Sequence, residues 1–194
     1  MDPRSRVTAV KLLIAMTGAS GATYTQRLLD NLDSHQHEIH FISTKHAREV
    51  AQLELPKGEL RLSPRIIQYR EDDSMFVPFV SGSAKFDAMV IIPASMGTIG
   101  RIAHGVSDTT VARAADVFLK ERRKLVLVPR ESPYNLIHLR NMATLTEVGA
   151  TIIPASPSFY ARPKTITELV DTIIARVLDH LGIEHKLIKR WQSA

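Results

Sequence analysis

The chain has 194 residues, 44% hydrophobic and 23% charged, the balance of a globular protein with room for a sizeable core. It has no cysteine, which excludes disulfides and thiolate metal sites. A net charge of +5 suits anionic ligands, but the basic residues gather at 120–124 and 186–190 without interleaved aromatics, which does not indicate nucleic acid.

In chain order, Arg4, Arg6 and Lys11 precede an apolar run at 12–16 that is too short for a signal-peptide core. The run reads as a buried first strand, with 1–8 as a frayed, disordered extension. Gly18-Ala19-Ser20-Gly21-Ala22 follows, then an amphipathic helix over 23–32. A second strand spans 38–43 and a helix 45–53. Residues 56–83 carry Pro56, Gly58, Pro64, Pro78 and Gly82 and read as irregular. A third strand spans 88–92, with helices at 96–104 and 109–121 separated by Gly105. A fourth strand at 124–128 leads to a helix at 136–147, a short fifth strand at 151–153 and a long helix at 166–181 closed by Gly182. His35, His37 and His40 are expected near a loop and a strand edge. No segment approaches transmembrane length, and the expected location is cytoplasmic.

Short apolar strands alternating with helices predict an α/β protein, a three-layer, Rossmann-like or flavodoxin-like parallel sheet with helices on both faces. The whole chain, 1–194, is expected to be one domain. Ligands of such folds bind outside the carboxyl ends of the strands. There the chain places Ser20, then Thr44 and Lys45, then Ser95 to Thr98, then Arg130 and Glu131. The glycine loop reads equally as a tight turn with Ser20 capping a helix, or as a phosphate site at a helix N-terminus. Helix capping also accounts for Thr44 and Ser95, but not for Arg130-Glu131 between Pro129 and Pro133. A nicotinamide cofactor fits poorly, because Ser43-Thr44-Lys45 stands where its ribose carboxylate should follow the second strand. Flavin mononucleotide or another monophosphate fits better.

Other chemistries lack their residues. There is no G-x-S-x-G elbow, no H-E-x-x-H and no aspartate-rich magnesium motif, so no metal is expected. Asp72-Asp73 reads as solvated loop charge. Arg113, Lys120, Arg130, Arg162 and Arg176 lie in or beside apolar segments. Arg176 is the sharpest of these, set among Ile173, Ile174, Ala175, Val177 and Leu178, where a cation either snorkels or holds a phosphate.

Together, Gly18-Ala19-Ser20-Gly21-Ala22, Pro93-Ala94-Ser95-Met96-Gly97-Thr98, Arg113-Ala114-Ala115-Asp116-Val117 and Pro129-Arg130-Glu131-Ser132-Pro133 resemble the UbiX-type flavin prenyltransferases. Asn141-Met142, Gly149-Ala150 and Phe159-Tyr160-Ala161-Arg162-Pro163 extend the likeness across nearly all of 12–191.

The resemblance implies a homo-oligomer, usually a dodecamer, that joins a dimethylallyl group from dimethylallyl phosphate to N5 and C6 of reduced FMN. The product, prenylated FMN, would serve a UbiD-type decarboxylase, as in ubiquinone biosynthesis or aromatic acid breakdown. Gly18, Ala19 and Ser20 match the first FMN loop. Thr44 stands where the family has serine, Ser95, Met96, Gly97 and Thr98 match the second loop, and Arg130 matches a further FMN contact. The resemblance makes Glu131 the acid/base residue and sets Ser20 beside N5. It gives Tyr160 and Arg176 to the prenyl phosphate, with Arg113 and with Lys120 from a neighbouring subunit, and Trp191 to the C-terminal tail, 183–194, that covers the site. Such a cationic set would replace magnesium. Two other readings stand beside this one, an FMN-dependent cysteine decarboxylase and a non-catalytic FMN carrier. The first expects P-x-M-N-x-x-M where this chain has Pro93 to Thr98, and the second has no use for Arg113, Lys120 and Arg176.

Overall fold

A computed structural model describes residues 9–71 and 75–188. The elements in chain order are β1 (Lys11–Met16), α1 (Ala22–Asp30), β2 (Glu38–Ser43), α2 (Lys45–Glu54), β3 (Ile67–Arg70), β4 (Ala88–Ala94), α3 (Met96–Ala103), α4 (Thr110–Lys120), β5 (Lys124–Pro129), α5 (Leu136–Glu147), β6 (Thr151–Ile152) and α6 (Ile166–Leu181). One 3₁₀ turn, Pro78–Val80, precedes β4.

The strands form one parallel sheet in the order β3-β2-β1-β4-β5-β6. Beyond Lys11 at its start, β1 is apolar, as is all of β4, because helices cover both faces. Leu13, Ile14 and Ala15 of β1 and Val90, Ile91 and Ile92 of β4 have no exposed surface. One face packs against α1, α2 and α6 through Leu28, Ala51, Ile174 and Leu178. The other packs against α3, α4 and α5 through Ile99, Val111, Phe118 and Leu145. From β1 the chain winds outward to β3, then returns to lay β4 on the other side of β1. That reversal opens a crevice at the carboxyl ends of β1 and β4.

Two expectations need correction. The 56–83 segment is not wholly irregular, because it contains β3. This strand is four residues long, with Ile67, Gln68 and Arg70 exposed, so its own sequence carries no apolar run. Pairing with β2 defines it. Once β3 covers β2, His40 is not at an edge. It is 3% exposed, with Nδ1 3.0 Å from the Tyr69 hydroxyl and Nε2 2.8 Å from Glu38. His37 is also buried and accepts from the Val10 amide at Nδ1.

Candidate active site

At the end of β1 the chain must turn sharply into α1. Gly21 makes the turn at φ 115°, in the left-handed region, and a Cβ there would meet the Tyr24 ring at 2.9 Å. Gly18 is equally constrained from outside the loop. A Cβ on it would fall 2.6 Å from the Cβ of His46, so the loop can lie against the start of α2 only without a side chain.

Ser20 does not cap α1. The N-cap is Gly21, with no side-chain bond from its own residue. The first-turn amides of Gly21 and Ala22 instead donate to one carboxylate oxygen of Glu54, at 2.8 Å each. Burial acts to raise the Glu54 pKa, but hydrogen bonds from the Ser20 hydroxyl and from these two amides, with the nearby Arg130 cation, outweigh it and hold the carboxyl below its ordinary range. The site thus has a second carboxylate that the sequence did not single out. No motif spacing marks it, because its position depends on how α2 lies across the glycine loop.

Thr44 caps α2 and accepts from the Ala47 amide at 3.1 Å. Ser95 caps α3, accepts from the Thr98 amide at 3.3 Å and lies 3.0 Å from the Thr98 hydroxyl. A buried hydroxyl joins the two loops. Thr17, 1% exposed, donates to the Pro93 carbonyl at 2.8 Å and accepts from the Ser95 amide at 2.8 Å. Thr17 stands one residue before the glycine loop and is another position the sequence reading passed over.

These residues converge. Gly18, Thr44, Ser95 and Thr98 line one cavity of about 230 Å³, with Thr17, His46 and Arg101 also in its wall. Hydroxyls, a glycine loop and the N-terminal turn of α3 suit a phosphate with the start of a ribityl chain. Met96 is not at this wall; its side chain is 8% exposed and packs in the core. Beside the cavity, Arg130 donates from Nε to the Ser20 carbonyl at 3.1 Å. Arg130 and Glu131 line a second recess of about 410 Å³ with Ser132, Tyr134 and Ser156. Burial and then the Glu131 charge push the Tyr134 phenol above its ordinary pKa, so it faces the recess as a hydroxyl donor. Glu131 itself accepts from the Ser132 amide at 3.0 Å.

The expected prenyl-phosphate residues do not meet within one chain. Arg113 and Lys120 lie on α4 and pair with Asp116 and Glu121. Arg176 lies on α6, half-exposed, 3.0 Å from Asp179, in a recess with Gly182 and Glu184. Tyr160 is 87% exposed in the loop before α6. α4 and α6 cover opposite faces of the sheet. Trp191 and the last part of the 183–194 tail lie outside the described residues. Among the described residues, no cluster of His, Asp and Glu is arranged to hold a metal ion, and no helix is long and apolar enough to cross a membrane.

The family model described as Flavoprotein matches residues 2–178. A flavin prenyltransferase UbiX from Methanocaldococcus jannaschii is 42% identical over 182 residues, covering 94% of this chain and 98% of that one. The Pseudomonas aeruginosa flavin prenyltransferase UbiX is 43% identical and covers 93% of each. Among solved structures, a dodecameric FMN-dependent UbiX-like decarboxylase from Escherichia coli O157:H7 superposes with a TM-score of 0.86 at 39% identity, covering 95% of this chain and all of that one. A UbiX in complex with FMN and dimethylallyl pyrophosphate superposes with a TM-score of 0.87 at 35% identity, covering 96% of this chain and 99% of that one. Peptidyl-cysteine decarboxylase EpiD reaches 0.62 at 19% identity and shares the fold alone. With its glycine loop and hydroxyl-lined cavity at the topological switch of the sheet, and the Arg130-Glu131 recess beyond the end of β5, the chain belongs to the UbiX-type flavin prenyltransferases of the Flavoprotein family.

Proposed function

We infer that the chain transfers a dimethylallyl group to N5 and C6 of reduced FMN, releasing phosphate and closing a further ring on the flavin. The observation that carries this reading is the hydroxyl-lined cavity at the carboxyl strand ends together with the Arg130-Glu131 recess, with Arg130 bonded to the glycine loop at the Ser20 carbonyl. The cavity suits the phosphate and the recess supplies a carboxylate. FMN is bound by Gly18, Ala19, Ser20, Thr44, Ser95, Met96, Gly97, Thr98 and Arg130. The buried side chain of Met96 limits its part to the backbone of the α3 turn. Ser20 lies beside N5. Ring closure at C6 releases a proton, and Glu131 is the base that takes it.

The leaving phosphate is held by Tyr160 and Arg176 of one chain with Arg113 and Lys120 from another, through charge-assisted bonds that do the work of a metal ion. The opposite placement of α4 and α6 supports a site shared between copies. Exposed apolar residues on α5, Leu136, Ile137 and Leu139, support self-association, and a dodecamer is the assembly proposed. Trp191 covers the site from the tail. The chain acts as a single domain in the cytoplasm and delivers prenylated FMN to a UbiD-type decarboxylase. Glu131→Gln tests the assignment. Product formation should fall on the order of 100- to 10,000-fold with FMN binding intact; a wild-type rate would remove Glu131 from the chemistry.

A further inference from the structure

We infer that Arg101 supplies the cation that holds the FMN phosphate, and so sets the preference of this chain for FMN over riboflavin. The proposal rests on the FMN reading above and names a residue outside the motifs that led to it.

A phosphate monoester carries close to two negative charges at neutral pH. The cavity formed by Gly18, Thr44, Ser95 and Thr98 answers it with hydroxyls and one helix turn, none of which carries a full charge. Arg130 is not in this wall; its Nε donates to the Ser20 carbonyl and it lines the Glu131 recess. The basic side chains in the cavity wall are His46 and Arg101, and a guanidinium is a permanent cation. The wall also holds one carboxylate, Glu71, whose Oε1 accepts from the Val111 amide at 3.1 Å at the start of α4, and its negative charge makes the Arg101 cation the more necessary for an anion here.

Arg101 reaches this wall by folding back along α3. Its Nη1 donates to the Gly97 carbonyl at 3.2 Å, one turn earlier. A Cβ on Gly97 would lie 3.4 Å from Nη1, in ordinary contact with the folded-back guanidinium. Asp108 steadies the other side of the fork, 3.3 Å from Nε. A guanidinium has five N–H donors, and these two contacts use only part of them. Among the described residues nothing accepts from Nη2, the nitrogen left to donate to a phosphate at the α3 N-terminus. Charge and helix dipole then act on the same group.

Riboflavin makes the test selective, since it is FMN without the phosphate. Affinities of the intact protein for both are measured by flavin fluorescence quenching. Arg101→Ala should weaken FMN binding about 10- to 100-fold and leave riboflavin unchanged. Asp108→Asn removes the steadying contact and keeps the cation; FMN affinity should hold or rise. Equal effects of Arg101→Ala on both flavins, or none on either, would overturn the proposal. So would a loss in Asp108→Asn matching that in Arg101→Ala, because the effect would then lie in the 104–108 loop. A wild-type protein that binds neither flavin would overturn the FMN reading itself, a result distinct from each of these.

Discussion

Glu54 ends α2, yet it closes the first turn of α1, and its two amide bonds and the Ser20 hydroxyl stabilise the ionised form. Because its folded pKa is depressed, Glu54 contributes stability that is fully present above the ordinary carboxylate range and is lost as pH falls through the folded value. Thermal unfolding followed from neutral pH to about pH 3 should therefore show wild type above Glu54→Gln at neutral pH, with the gap closing on acidification below about pH 4. A gap that stays constant with pH would mean that ionisation of Glu54 contributes nothing to it. Glu54 marks the limit of what single residues reveal in the sequence. The glycines, Ser95 and Thr44 are legible because turns and caps are local devices. Glu54 is legible only once α2 has been laid against the loop, as is the buried state of His40 beneath β3.

At the scale of elements, the parallel sheet with helices on both faces was implied by the alternation of strands and helices, its strand order was not, and the bounds of β2, α5 and α6 follow from their own residues. β3 was missed because an exposed four-residue edge takes its identity from its neighbour. The register that matters most to the site, the end of β1 against the end of β4, is held by the Thr17 hydroxyl. That hydroxyl satisfies the Pro93 carbonyl and the Ser95 amide together, and Thr25 satisfies the next carbonyl back, Ile92, at 2.6 Å. Thr17→Val keeps the shape and leaves the half-buried Ser95 amide unpaired, while the Pro93 carbonyl keeps the bond from the Thr17 amide at 3.2 Å. It should cost about 1–3 kcal/mol in denaturant unfolding and weaken FMN binding, because Ser95 loses its tether. Thr17→Ser should restore both. Recovery of stability without recovery of FMN affinity would show that the tie supports the fold but not the flavin loop.

For the whole molecule, the cations on α4 and Arg176 on α6 are separated by the sheet itself, so under the proposed assignment a lone chain would carry half of the leaving-phosphate site on each face. Two variants that are each inactive should complement one another when mixed. Arg113→Ala and Arg176→Ala oligomers, dissociated and reassembled together, should regain a substantial fraction of wild-type activity, because some mixed sites contain both arginines. No recovery in verified mixed oligomers would place all four residues in one chain's site. This division also explains why the site was only partly legible in the sequence. The cavity at the carboxyl strand ends can be read from strand ends, whereas the proposed phosphate cations lie on opposite faces and would converge only through assembly. The central claim is the reaction, and the mass of the flavin tests it most directly. After anaerobic incubation of the protein with reduced FMN and dimethylallyl phosphate, the released flavin should have gained one prenyl unit, with phosphate formed in equal amount. Unmodified FMN recovered from active-site-saturated protein would contradict the account.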